Sequence, residues 1–110
     1  MFWFFRGVAK GVVTTRYPAR RDEWSDSLPT PPAFRGDLLT VELAERLVSA
    51  CPASALRREE ADLVLDIGAC TACGACAAVG GEAVVPSGEF ELAARRRSAL
   101  VKRIAIGATR

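Results

Sequence analysis

The stretch ACTACGACAAVGG, residues 69–81, carries cysteines at positions 70, 73 and 76 and then runs into a glycine pair. A C-x2-C-x2-C run is the arrangement that wraps three corners of a cubane iron–sulfur cluster, which takes a fourth thiolate from elsewhere in the chain. The alanines and glycines around these thiols have little bulk with which to bury them as free side chains. They do allow backbone N–H groups to approach sulfur closely, and such hydrogen bonds tune a cluster's potential.

The only other cysteine is Cys51, and it is followed by Pro52. In ferredoxins with two clusters the run C-x2-C-x2-C-x3-C-P occurs twice, and the last cysteine of each run ligates the other cluster. By that rule Cys51 completes the set begun by Cys70, Cys73 and Cys76. Counting back from Cys51 at the same spacing reaches Leu47, Ala44 and Val41, all apolar, and the fourth position of the second run is Gly80. All the ligand positions of one cluster are therefore lost and all those of the other are kept. Val41, Ala44 and Leu47 are expected to fill part of the vacated space as an ordinary helix face, because an unfilled cavity costs roughly 24 cal/mol per Å³.

A structural zinc held by Cys51, Cys70, Cys73 and Cys76 also satisfies a four-thiolate count, although zinc sites usually pair two separated C-x2-4-C knuckles. A dithiol oxidoreductase leaves the overlapping pairs and the third partner unexplained. The chain has no histidine, which removes the commonest general base and any Cys-His or Ser-His relay.

With 110 residues the chain fits one small domain. Half the residues are hydrophobic, a high share for a surface that must face something, and another subunit would serve. A net charge of +2 gives no argument for nucleic acid. Thirteen of the fifteen basic residues are arginine, the residue better suited to interface ion pairs. Residues 1–36 carry six basic and three acidic side chains, so the N-terminal third holds +3 and the remainder −1. That basic end is expected to face a membrane surface or an anion. The apolar start MFWFF is broken by Arg6 and has no cationic region before it, so neither a secretory signal nor a membrane span is expected. In a reducing compartment four cysteines point to metal or catalysis before disulfides.

Residues 1–16 read as an amphipathic helix, with Phe2, Phe5, Ala9 and Val12 in one stripe and Arg6 and Lys10 on another side. Its aromatics suit either a headgroup boundary or a protein neighbour. Residues 17–36 contain Pro18, Pro29, Pro31 and Pro32 and read as an extended arm lying across a partner. Residues 40–50 read as a helix capped by Thr40 and stopped by Pro52. Two strands are expected near 55–58 and 63–66, with a hairpin-sized piece turning at 86–88. The C-terminal segment reads as helix-prone, with Leu92, Leu100, Val101 and Ile104 as buried positions and Arg95, Arg96 and Arg97 as a solvated face.

Between Ala55 and Gly80 the sequence ALRREEADLVLDIGACTACGACAAVG resembles the ferredoxin-like subunit of complex I and of its relatives, the membrane-bound group 4 [NiFe] hydrogenases and formate hydrogenlyases. VVTTRYP at 12–18, PPAFRG at 31–36 and EFELA at 89–93 look like further landmarks of that family. The short chain that starts directly on an amphipathic helix is closer to the hydrogenase-type branch.

The resemblance implies an α+β, ferredoxin-like fold of the bacterial two-cluster type, with pseudo-twofold β-hairpin and helix units, an N-terminal amphipathic helix and an extended arm. The corresponding organisation is a surface or docking helix at 1–16, an arm at 17–36, a cluster domain at 37–94 and a C-terminal helix or tail at 95–110. It implies an electron-transfer subunit, not an enzyme on its own, with one [4Fe–4S] cluster on Cys51, Cys70, Cys73 and Cys76. Its partners would be small and large catalytic subunits and a membrane subunit, with no nucleic acid, on the cytoplasmic face of the inner membrane. The contrasting expectation is a structural or assembly subunit in which the cluster, or a four-cysteine zinc, only pins the fold and clamps subunits together.

Overall fold

The structure is a computed structural model that describes residues 1–11 and 13–108. Val12, a member of the expected N-terminal stripe, lies outside the described residues.

Helix α1 runs Phe2–Lys10, shorter than the expected 1–16. It stops at Gly11, whose φ of 68° suits glycine and whose N–H bonds back to the Gly7 and Val8 carbonyls, closing the last turn. Every residue of α1 is exposed. Among the described residues no helix is long and apolar enough to cross a membrane.

The arm is only partly the free strip that its prolines suggest. A short 3-10 turn forms at Glu23–Ser27, where the Ser25 hydroxyl donates to the Asp22 carbonyl at 2.7 Å and accepts from Arg21 Nε at 3.2 Å. The Tyr17 ring lies 5.7 Å from that of Phe90, and hydrogen bonding to the Glu91 carboxylate pushes its phenol pKa up. The far end of the arm becomes strand β1, Pro32–Phe34, so part of the expected partner is the chain itself.

Helix α2, Val41–Ala50, begins where expected: the Leu43 N–H donates to Thr40 Oγ1 at 3.1 Å, and Glu42 sits in the first turn near the positive end of the helix dipole. It ends at Cys51, before Pro52. Strands β2, Leu56–Glu59, and β3, Asp62–Asp66, form an antiparallel hairpin whose turn is narrower than expected, only Glu60 and Ala61. Helix α3 spans Ala75–Gly80.

Two segments differ from expectation. Strand β4, Val84–Pro86, does not turn back on residues 89–92; it pairs antiparallel with β1, Phe34 opposite Val84 and Pro32 opposite Pro86. The C-terminal segment, expected as a helix or tail over 95–110, is not a helix over the described residues 95–108. After a 3-10 turn at Arg97–Leu100 it forms strand β5, Val101–Ala105, on the free edge of β3. The expected buried positions Leu92, Leu100 and Ile104 are partly buried against the core, Ile104 opposite Leu63.

Strand β3 buries Leu63, Val64 and Leu65 in succession, so both faces of the sheet are covered at its middle. Leu63 and Leu65 face the core with Leu39, Ala44, Leu47, Leu56 and Val84. Val64 lies between Arg57 and Arg103 on the neighbouring strands. The guanidiniums of those arginines pair with Glu59, holding that carboxyl below its usual range.

The order β1-α2-β2-β3-α3-β4, with the first strand paired to the last and the middle two paired together, makes two small antiparallel sheets with two helices packed on each other between them. The architecture is α+β. It draws in residues from 32 to 105, beyond the 37–94 boundaries expected for the core domain. The radius of gyration is 18.9 Å, against about 13 Å for a compact chain of this length. The excess belongs to α1 and the arm, which add length without core.

Candidate functional site

Each cysteine is delivered by the end of a regular element. Cys51 caps the C-terminus of α2. Cys70 follows β3 through a turn fastened by Asp66, whose carbonyl accepts from the Ala69 and Cys70 N–H groups at 3.1 Å each. The Asp66 carboxylate accepts from the Gly68 N–H at 3.0 Å and pairs with Arg97 at 2.8 Å. Arg97 holds that carboxyl below its ordinary range, and the Gly68 and Ala69 amides add to the effect. Cys73 lies in the loop before α3, and Cys76 sits in the first turn of α3.

The loop between the thiols turns on left-handed residues, Ala72 at φ 53° and Gly74 at φ 80°. Alanine in that region costs on the order of 1 kcal/mol, a cost the fold must hold for a reason. One return is visible: the Ala72 N–H reaches Cys70 Sγ at 3.4 Å. On the other side of the site Ser54, at φ 52°, turns the chain so that the Ala55 N–H reaches Cys51 Sγ at 3.3 Å. Two small residues thus supply amide donors to two of the sulfurs.

All four cysteines line one cavity of about 270 Å³. That is larger than the roughly 150 Å³ apolar void that admits a benzene ring, so a group of eight heavy atoms is a reasonable occupant by size. The core residues Leu56, Leu65 and Val84 contribute to its wall, and Leu28, Pro29 and Thr30 of the arm line it as well. Cys51, Cys70 and Cys76 are half-buried and Cys73 is exposed. Burial pushes the Cys76 thiol up, and the nearby Cys70 and Cys73 sulfurs add to the rise against the lowering effect of the Ala77 amide.

Among the described residues no three Cys, Asp or Glu side chains converge closely enough to hold a single metal ion. Four thiolates on one zinc at about 2.3 Å would lie within about 3.8 Å of one another. These thiols line one cavity and do not meet at a point.

The four positions read as those of a lost second ligand set, Val41, Ala44, Leu47 and Gly80, behave differently. Ala44 and Leu47 are fully buried, Val41 is 48% exposed at the start of α2, and Gly80 ends α3. A Cβ added to Gly80 would lie 2.2 Å from Val84 Cγ2 and 3.3 Å from Leu47 Cδ2. Leu47 and Val84 therefore occupy the space in front of that position, and the helices α2 and α3 close directly on each other.

Two features of the site escaped the sequence. Asp66 and Arg97 read as a strand end and a solvated arginine, and only the β5 pairing brings them together. The arm residues Leu28–Thr30 lie twenty or more positions from any cysteine, and the proline pattern that could have flagged them indicates an extended segment without saying what it covers. No protein-family model and no curated protein matches this sequence.

Proposed function

We propose that the chain is a one-cluster electron-transfer subunit of the ferredoxin-like kind, with Cys51, Cys70, Cys73 and Cys76 as the thiolate ligands of a single [4Fe–4S] centre. The observation that carries this reading is that Cys51, at the end of α2, and the Cys70–Cys76 triplet, before and in α3, line one cavity. The β1-α2-β2-β3-α3-β4 order supports the ferredoxin-like reading, since it contains a strand–helix–strand unit twice. When bound, the centre would supply one-electron redox chemistry.

The chain's own residues do the rest. Ala55 and Ala72 donate N–H groups to sulfur, which favours added negative charge at the site. Asp66 and Arg97 hold the turn that presents Cys70. Leu56, Leu65 and Val84 keep water from the inner side. Cys73 is the exposed ligand and marks the side from which an electron donor or acceptor could approach.

In this reading the protein works within a hydrogenase-like or complex I-like assembly, where α1 docks on a membrane surface. Met1, Phe2, Trp3, Phe4, Phe5 and Val8 all stand in solvent beside Arg6 and Lys10, the composition of an interfacial helix. The direct test of the ligand set is anaerobic reconstitution of Cys51→Ala beside Cys73→Ala. Each variant should lose the same iron–sulfur absorption and EPR signal. A Cys51→Ala protein that retained the wild-type signal would overturn the crossed ligation.

A further inference from the structure

We propose that the arm segment 28–32 is a strap over the cysteine cavity that sets how far water and oxidants reach the thiols. Leu28, Pro29, Thr30 and Pro32 line the same cavity as the four cysteines, although they precede the nearest of them by nineteen or more positions. The segment is tied down along its length. The Gly88 N–H donates to Thr30 Oγ1 at 3.1 Å, the Ser87 N–H donates to the Pro31 carbonyl at 3.2 Å, and Pro32 pairs with Pro86 in the β1–β4 ladder.

Its chemistry is that of a cover. Of the lining residues, Pro29 and Pro32 have no N–H, so those two positions can exclude water from the sulfurs without donating a hydrogen bond to them. Proline also restricts the segment to extended geometry, so it loses little freedom on lying down. The amide donors reach sulfur from Ala55 and Ala72, which are not part of the strap. The lining residues therefore divide into separate roles, donation from the cysteine loops and exclusion from the arm.

Two consequences follow. Without any metal, opening the strap exposes the half-buried thiols Cys51, Cys70 and Cys76, whereas Cys73 is exposed already. With a cluster bound, as the reading above has it, extra water favours the reduced centre, which carries one more negative charge, so the potential rises.

The test uses the full chain as wild type, Leu28→Ser and Thr30→Val, the last a near-isostere that removes the acceptor for Gly88. Iodoacetamide labelling of the metal-free protein, mapped by mass spectrometry, should be several-fold faster at Cys51, Cys70 and Cys76 in both variants and unchanged at Cys73. Thermal melts identify any variant whose labelling rises only because it unfolds: its Cys73 rate and its melt change together, and Thr30→Val then decides. Equal labelling rates in wild type and a folded Thr30→Val overturn the strap. Redox titration of reconstituted protein followed by EPR should give a higher midpoint potential in the variants, and an unchanged potential likewise overturns it. Failure of the wild type to take up iron and sulfide would count against the cluster reading alone, because the labelling result does not depend on it.

Discussion

Gly80 is the residue with the least room for a side chain on α3. Its Cα faces Val84 and Leu47 with no room for a Cβ, so the position is glycine because the two halves of the core have closed over it. Gly80→Ala should destabilise the protein by about 1–3 kcal/mol through overpacking, read as a lower denaturation midpoint at unchanged slope. An unchanged midpoint would mean that Val84 moves aside at little cost. Asp66 gives the second residue-level expectation. Its carboxyl pKa is depressed by Arg97, so its contribution to stability is present above the ordinary aspartate range, about pH 4, and is lost as pH falls through the depressed value. The stability gap between wild type and Asp66→Asn should therefore be open at neutral pH and close as the solution is acidified. A gap that is constant across the titration would remove Asp66 from its anchoring role.

At the scale of elements, local chemistry was readable and distant pairing was not. The Thr40 cap, the stop at Pro52 and the β2–β3 hairpin each depend on residues within a few positions of one another, and each formed near its expected bounds. Strands β4 and β5 were misread because their partners lie far away in the chain: β4 pairs with β1 about fifty residues upstream, and β5 with β3 about forty upstream. Helical spacing of Leu100, Val101 and Ile104 in an isolated segment says nothing of the open edge on β3 that a strand can satisfy. The β5 contact should be energetically real. Ile104, opposite Leu63 and partly buried, should cost about 1–2 kcal/mol as Ile104→Ala, below the range for a fully buried isoleucine. Chemical denaturation measures this, and a cost near zero would mean that β5 is dispensable to the sheet.

Across the whole molecule, spacing put Cys51 with the triplet and Leu47 with Gly80; the four cysteines line one cavity, and Leu47 lies in front of Gly80. Val41 departs, exposed at the start of α2, because the first turn of the helix projects beyond the core. The arm could not be placed from sequence, since prolines specify an extended backbone and leave the surface it covers to be decided by tertiary contact. The account rests on one centre per chain, held across the fold by Cys51 and the triplet. Iron and acid-labile sulfide analysis of anaerobically reconstituted protein, with EPR of its reduced state, tests that most directly. The expected result is about four irons and four sulfides per chain with a single cubane signal; about eight irons, or zinc in place of iron, would contradict it.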